Sequence, residues 1–93
     1  MNNELYELRP IKIIQKLESL LRPLRYALCF DQQGMLYSIK KGDDSKPCPY
    51  FYKDRRNKIY MKLGHHINRC IDKESDEWLA YYAYKIITKG RIV

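Results

Sequence analysis

The chain reads as α+β, a small antiparallel sheet covered by helices. Three observations carry that reading. An apolar stripe at helical spacing follows Pro10 and stops at Pro23. Two alternating runs, 24–30 and 35–40, flank a turn that contains Gly34. A second helical stripe follows Ser75. The expected sheet is a hairpin over 24–40 plus a short strand near 50–53. The expected cover is an N-terminal helix and two C-terminal helices. With 93 residues the chain is one domain, 1–93, with no internal repeat and no dividing linker.

The first helix is expected over 10–22. Pro10 suits a first-turn position, where its missing N–H costs nothing. Ile13, Ile14, Leu17, Leu20 and Leu21 then share one face. In the hairpin, Leu24, Tyr26, Leu28 and Phe30 face one way and Arg25, Ala27 and Cys29 the other. Asp31-Gln32-Gln33-Gly34 turns the chain, and Met35, Tyr37 and Ile39 alternate with Leu36, Ser38 and Lys40. Residues 41–46 are polar and expected as a loop. Tyr50-Phe51-Tyr52 reads as a strand.

Residues 54–73 fit two descriptions. Ile59, Tyr60, Leu63, Ile67, Cys70 and Ile71 fit one helical stripe, with Met61 off it. The rival pairs 50–53 with 58–63 around Asp54-Arg55-Arg56-Asn57, and Gly64 speaks for it because glycine weakens a helix by about 1 kcal/mol. The longer periodic match makes helix the expectation. The last helix has Ser75 as N-cap, Asp76 and Glu77 at the positive end of its dipole, and Lys85, Lys89 and Gly90 at its close.

Lys plus Arg number 18 and Asp plus Glu 11, a net charge of +7. The composition is too apolar for disorder, and no apolar run approaches the roughly 20 residues that span a bilayer. No secretory leader or lipidation signal is read at either end. Three cysteines, Cys29, Cys48 and Cys70, are an odd number at wide spacing, which suits free thiols in a reducing cytoplasm. A cytoplasmic protein without membrane contact is therefore expected.

The charge is concentrated. Between residues 46 and 71, Lys46, Lys53, Arg55, Arg56, Lys58, Lys62 and Arg69 face the single acid Asp54. Tyr50, Phe51, Tyr52 and Tyr60 interleave this block, and an acidic stretch from Asp72 to Glu77 follows it. Lys and Arg neutralise phosphates, and tyrosines stack on unpaired bases. Arg and Tyr are also enriched where proteins grip one another. The bland alternative is a solvated basic face with the tyrosines in the core. The candidate partner-binding residues are Tyr50, Tyr52, Lys53, Arg55, Arg56, Lys58 and Lys62.

Chemistry is less legible. His66 and Cys70 would share a helix face, and with Cys29 and Cys48 they include ligand types that zinc prefers. No Cys-x-x-Cys pair accompanies them, so the sequence leaves zinc open while no cofactor is expected. Cys48 beside His65 or His66 is formally a nucleophile and base. The length and charge also fit a small ribonuclease toxin, although the order of elements does not. Pro47-Cys48-Pro49 offers extended backbone to a proline-recognising partner, or simply stiffens the way into a strand. No catalysis is expected.

In being short, basic, tyrosine-rich and free of enzyme signatures, the chain resembles small phage-encoded proteins that take over host DNA metabolism. The likeness rests most on Pro47-Cys48-Pro49-Tyr50-Phe51-Tyr52-Lys53-Asp54-Arg55-Arg56. Among those proteins it is similar to the anti-RecBCD accessory proteins of lambdoid phages. The resemblance implies binding to a host nucleic-acid-processing enzyme, a helicase–nuclease, with altered recombination and no chemistry by the chain itself. It carries no functional residue across.

Overall fold

A computed structural model describes residues 3–65 and 67–89, with side chains from residue 8 onward. Helix α1 (Asn3–Leu21) leads through a 3-10 turn (Arg22–Leu24) into strands β1 (Ala27–Phe30), β2 (Leu36–Lys41) and β3 (Asp44–Lys46). Strands β4 (Tyr50–Lys53), β5 (Ile59–Leu63) and β6 (Ile67–Cys70) follow. A second 3-10 turn (Ile71–Lys73) leads into helix α2 (Asp76–Lys89). The architecture is α+β, as expected. Its strands form two antiparallel meanders, β1-β2-β3 and β4-β5-β6, in place of one sheet.

One core unites them. Ile13, Ile14, Leu17 and Leu21 of α1 meet Leu79, Ala83, Ile86 and Ile87 of α2, with Leu36 and Ile39 from the first sheet and Met61, Leu63 and Ile67 from the second. Each fully buried aliphatic side chain contributes about 1.5–3 kcal/mol. The Cα envelope, 39 × 32 × 19 Å, has the thickness of a helix layer on a sheet layer.

The helix expected within 54–73 is corrected. Those residues form the β4–β5 turn, β5, β6 and a 3-10 turn, so among the described residues one C-terminal helix is present and not two. Asp54 Oδ1 accepts hydrogen bonds from the backbone N–H of Arg56 (2.8 Å) and Lys58 (3.0 Å), and Asn57 takes a left-handed φ of +66°. Asparagine tolerates that conformation, which ends any helix. Met61, the residue off the helical stripe, is fully buried, because alternation places Ile59, Met61 and Leu63 on one side.

Other boundaries shift for local reasons. Helix α1 begins well before Pro10, which lies inside it. Arg9 fastens this stretch to α2: its guanidinium donates to Asp76 Oδ1 (2.8 Å) and to the carbonyls of Ile71 (2.8 Å) and Glu74 (2.9 Å). The strand expected from residue 24 starts at Ala27, since Arg22–Leu24 wind into a 3-10 turn closed by Arg25 at φ +67°. A bulge in the β1–β2 register lets Leu36 and Ile39 both turn inward and pushes Tyr37 out, against the expected alternation. The expected loop at 41–46 contains β3. Ser75 Oγ caps α2 by accepting from Trp78 N–H at 3.0 Å, and the stop expected at Gly90 lies outside the described residues. Among the described residues no helix is long and apolar enough to cross a membrane.

Candidate functional site

The second sheet gathers the aromatic and basic residues on one face. Its register sets Tyr50 opposite Lys62 and Tyr52 opposite Tyr60, while Lys62 and Tyr60 in turn face Asn68 and Cys70. Residues directly opposite share a side of the sheet, and the side alternates along each strand. Phe51, Ile59, Met61 and Leu63 turn to the core, so Tyr50, Tyr52, Tyr60, Lys62 and Asn68 turn to the other side.

The three tyrosines form a connected surface. Tyr52 and Tyr60 are stacked, with ring centroids 5.4 Å apart and planes 12° apart. Tyr50 is tilted against Tyr52 at 6.1 Å and is half exposed. The Tyr52 hydroxyl reaches across β5 and donates to Asn68 Oδ1 at 2.6 Å, which fixes both side chains. These rings are neither buried in the core nor scattered.

The charged members border that surface. Among the described residues, Arg55, Arg56 and Lys62 take part in no ion pair. Arg55 and Arg56 sit exposed at the tip of the β4–β5 turn and Lys53 at its base. Lys58 is partly engaged, 3.4 Å from Asp72 at one end of the face. The only acid of the turn, Asp54, points its carboxylate into backbone N–H groups. Those bonds, that of Lys58 foremost, hold its pKa below the usual carboxylate range.

Of the expected site residues, then, Tyr50, Tyr52 and Lys62 share the face, and Lys53, Arg55, Arg56 and Lys58 ring its turn end. Sequence reasoning left Tyr60 out of the site and missed Asn68. Tyr60 was visible as the next even-numbered position once 58–63 is a strand. Asn68 needed the register of a third strand.

The remaining candidates are dispersed. Cys29 lies on β1, Cys48 in the connection between the sheets and Cys70 on β6. Among the described residues no three His, Cys, Asp or Glu side chains come together, and His66 lies outside them. Cys48 packs against the core, and burial pushes its thiol up to about 11, so it is protonated at neutral pH. Pro49 is fully buried and Pro47 half-buried, so the Pro47–Pro49 segment is docked on the core and not displayed as an open loop. No protein-family model, no curated protein and no solved structure matches the chain.

Proposed function

We propose that the chain binds single-stranded nucleic acid across the outer face of the second sheet. One observation carries the reading: three tyrosine rings in contact on an exposed antiparallel sheet, bordered by Lys62, Arg55 and Arg56, none of which takes part in an ion pair among the described residues. Aromatic rings on a sheet offer stacking surfaces to unpaired bases, at about 1–3 kcal/mol per base, and the cations follow the phosphates. Duplexes keep their bases stacked internally and gain only the charge contribution. The three free thiols suit a reducing, cytoplasmic setting.

Fluorescence anisotropy with labelled 12-nucleotide single strands and the matching duplex tests this. Single strands should bind more tightly, and log K should fall linearly with log salt. Equal or stronger binding to duplex, or none at low salt, would refute it.

A second reading is docking on a host nucleic-acid-processing enzyme, with the chain modulating that enzyme. Helix α2 favours it. Trp78 lies 4.7 Å from Tyr82 and Tyr81 5.7 Å from Tyr84, with Arg69 and Lys85 above the Trp78 and Tyr81 rings. Leu20, Ala80 and Tyr81 also line an open depression of about 470 Å³ between the helices. Exposed aromatic clusters with arginine are typical anchors between proteins. A pull-down from bacterial lysate separates the readings. One dominant protein that survives nuclease treatment, and is lost on Tyr81→Ala, supports docking; loss of every partner with the nuclease refutes it.

A further inference from the structure

We propose that Lys62, His65 and Asn68 form a phosphate subsite at the corner of the second sheet. It takes the phosphate of the nucleotide whose base stacks on Tyr50. The base half of this statement rests on the single-strand reading above, whereas the phosphate half rests on the corner itself.

A depression of about 250 Å³ opens at the β5–β6 turn, lined by Lys62, Gly64, His65, Ile67 and Asn68. No carboxylate lines it. Lys62 brings an ammonium that has no ion pair among the described residues. The Asn68 oxygen is already taken by the Tyr52 hydroxyl, which leaves the amide N–H₂ to donate elsewhere. His65 is exposed on the turn and presents a ring N–H donor in either tautomer. The polar side-chain atoms left free here therefore include an ammonium and two N–H donors, with no anionic group, and such a set suits an anion.

Position selects the anion. Tyr50, Lys62 and Asn68 lie opposite one another across β4, β5 and β6. Neighbouring strands are about 5 Å apart, so a base on the Tyr50 ring holds its own phosphate near the corner. The same donors would also accept a free phosphate monoester, and the two sources give different results in the test.

The test combines two measurements on the whole chain. In the first, NMR follows the Asn68 side-chain amide while thymidine, thymidine 5′-monophosphate or inorganic phosphate is added. In the second, anisotropy measures a 12-nucleotide oligothymidylate against wild type, Lys62→Ala, Lys62→Arg and Asn68→Ala, each checked by circular dichroism. The monophosphate should move the Asn68 amide where thymidine does not. Lys62→Ala should weaken the oligonucleotide about 5–20-fold and flatten its salt slope by about 0.7, the share of one phosphate on a single strand. Lys62→Arg should restore most of the loss, and Asn68→Ala should cost about 5-fold.

Wild-type affinity and slope in Lys62→Ala would overturn the subsite while leaving single-strand binding standing. If no oligonucleotide binds but the phosphate probes move Asn68, the corner stands as a free-phosphate site and the sheet reading fails. No response to any probe overturns both.

Discussion

Tyr52 and Tyr60 face each other across β4 and β5 with their rings nearly parallel, 5.4 Å apart. Stacking of this kind contributes about 0.5–1.5 kcal/mol beyond area burial, so each ring orients the other. Each also has a polar anchor, Tyr52 at Asn68 and Tyr60 toward Asp54. The pair is a prebuilt surface, and holding it costs a ligand no ordering entropy.

Removing one ring should therefore cost more than its own contact. Tyr52→Ala or Tyr60→Ala is expected to weaken single-strand binding about 5–150-fold, the equivalent of 1–3 kcal/mol per base. Tyr52→Phe keeps the ring and loses only the bond to Asn68, so it should lose far less. Anisotropy titration at fixed salt checks the order, with unchanged circular dichroism as the control for folding.

The α+β class and the N- and C-terminal helices were legible because their apolar stripes match only one period. The second sheet was not. Ile59, Leu63, Ile67 and Ile71 are four apart, a spacing that satisfies a helical stripe and strand alternation equally. Only Met61, off the helical stripe, and Gly64, unfavourable inside a helix, distinguish the two. The turns tell the same story. Asp31 and Asp54 each accept hydrogen bonds from the N–H groups two and four residues on, at 2.8–3.0 Å. Gly34 closes the first turn at φ +88° and announced it, whereas Asn57 closes the second at φ +66°. The two turns thus share an aspartate at the first position and a left-handed residue at the fourth. The site inherited this: three tyrosines and a lysine at even positions align only once β5 is a strand.

The Asn57 position yields a test of that turn. Its left-handed backbone accepts glycine readily and disfavours a β-branched residue. Asn57→Gly should leave stability nearly unchanged, and Asn57→Val should cost about 1–2 kcal/mol. Urea unfolding midpoints with an unchanged m-value give the comparison.

Asp54 makes the turn pH-sensitive in a defined direction. Its folded pKa lies below the ordinary value because backbone N–H groups bind the ionised form. The stabilisation is complete above the unfolded pKa, near 3.9, and is lost as pH falls through the folded one. Asp54→Asn keeps an accepting oxygen without the charge. The stability gap between wild type and Asp54→Asn should be constant near neutrality and close as pH drops below about 4. Thermal melts from pH 7 to pH 2 read it out.

Arg9 ties distant parts of the chain together. Its guanidinium serves Asp76, 67 residues away, and two carbonyls of the segment that leads into α2. Arg9→Ala should destabilise the fold by about 2–3 kcal/mol, since it strands those acceptors in a half-buried setting. Arg9→Lys should recover little, because one ammonium cannot reproduce the planar fork. A matching loss of urea midpoint in both variants, with binding kept below the transition, is the expected result.

The thiols should separate by reactivity. Cys29 is exposed on β1, Cys70 is buried, and Cys48 is half-buried between two prolines with its S–H directed at the Pro49 carbonyl, 3.7 Å away. Only the thiolate attacks a disulfide reagent. A thiol raised to about 11 is ionised in about one molecule per thousand at pH 8. An aromatic disulfide reagent at pH 8 should therefore modify one equivalent rapidly, at Cys29, and the other two at the rate of unfolding. Cys29→Ser should abolish the fast phase, and denaturant should release all remaining thiols together. Rapid modification of Cys48 in the folded chain would mean that Pro47–Pro49 is displayed to solvent, which would revive a proline-recognising partner at that segment.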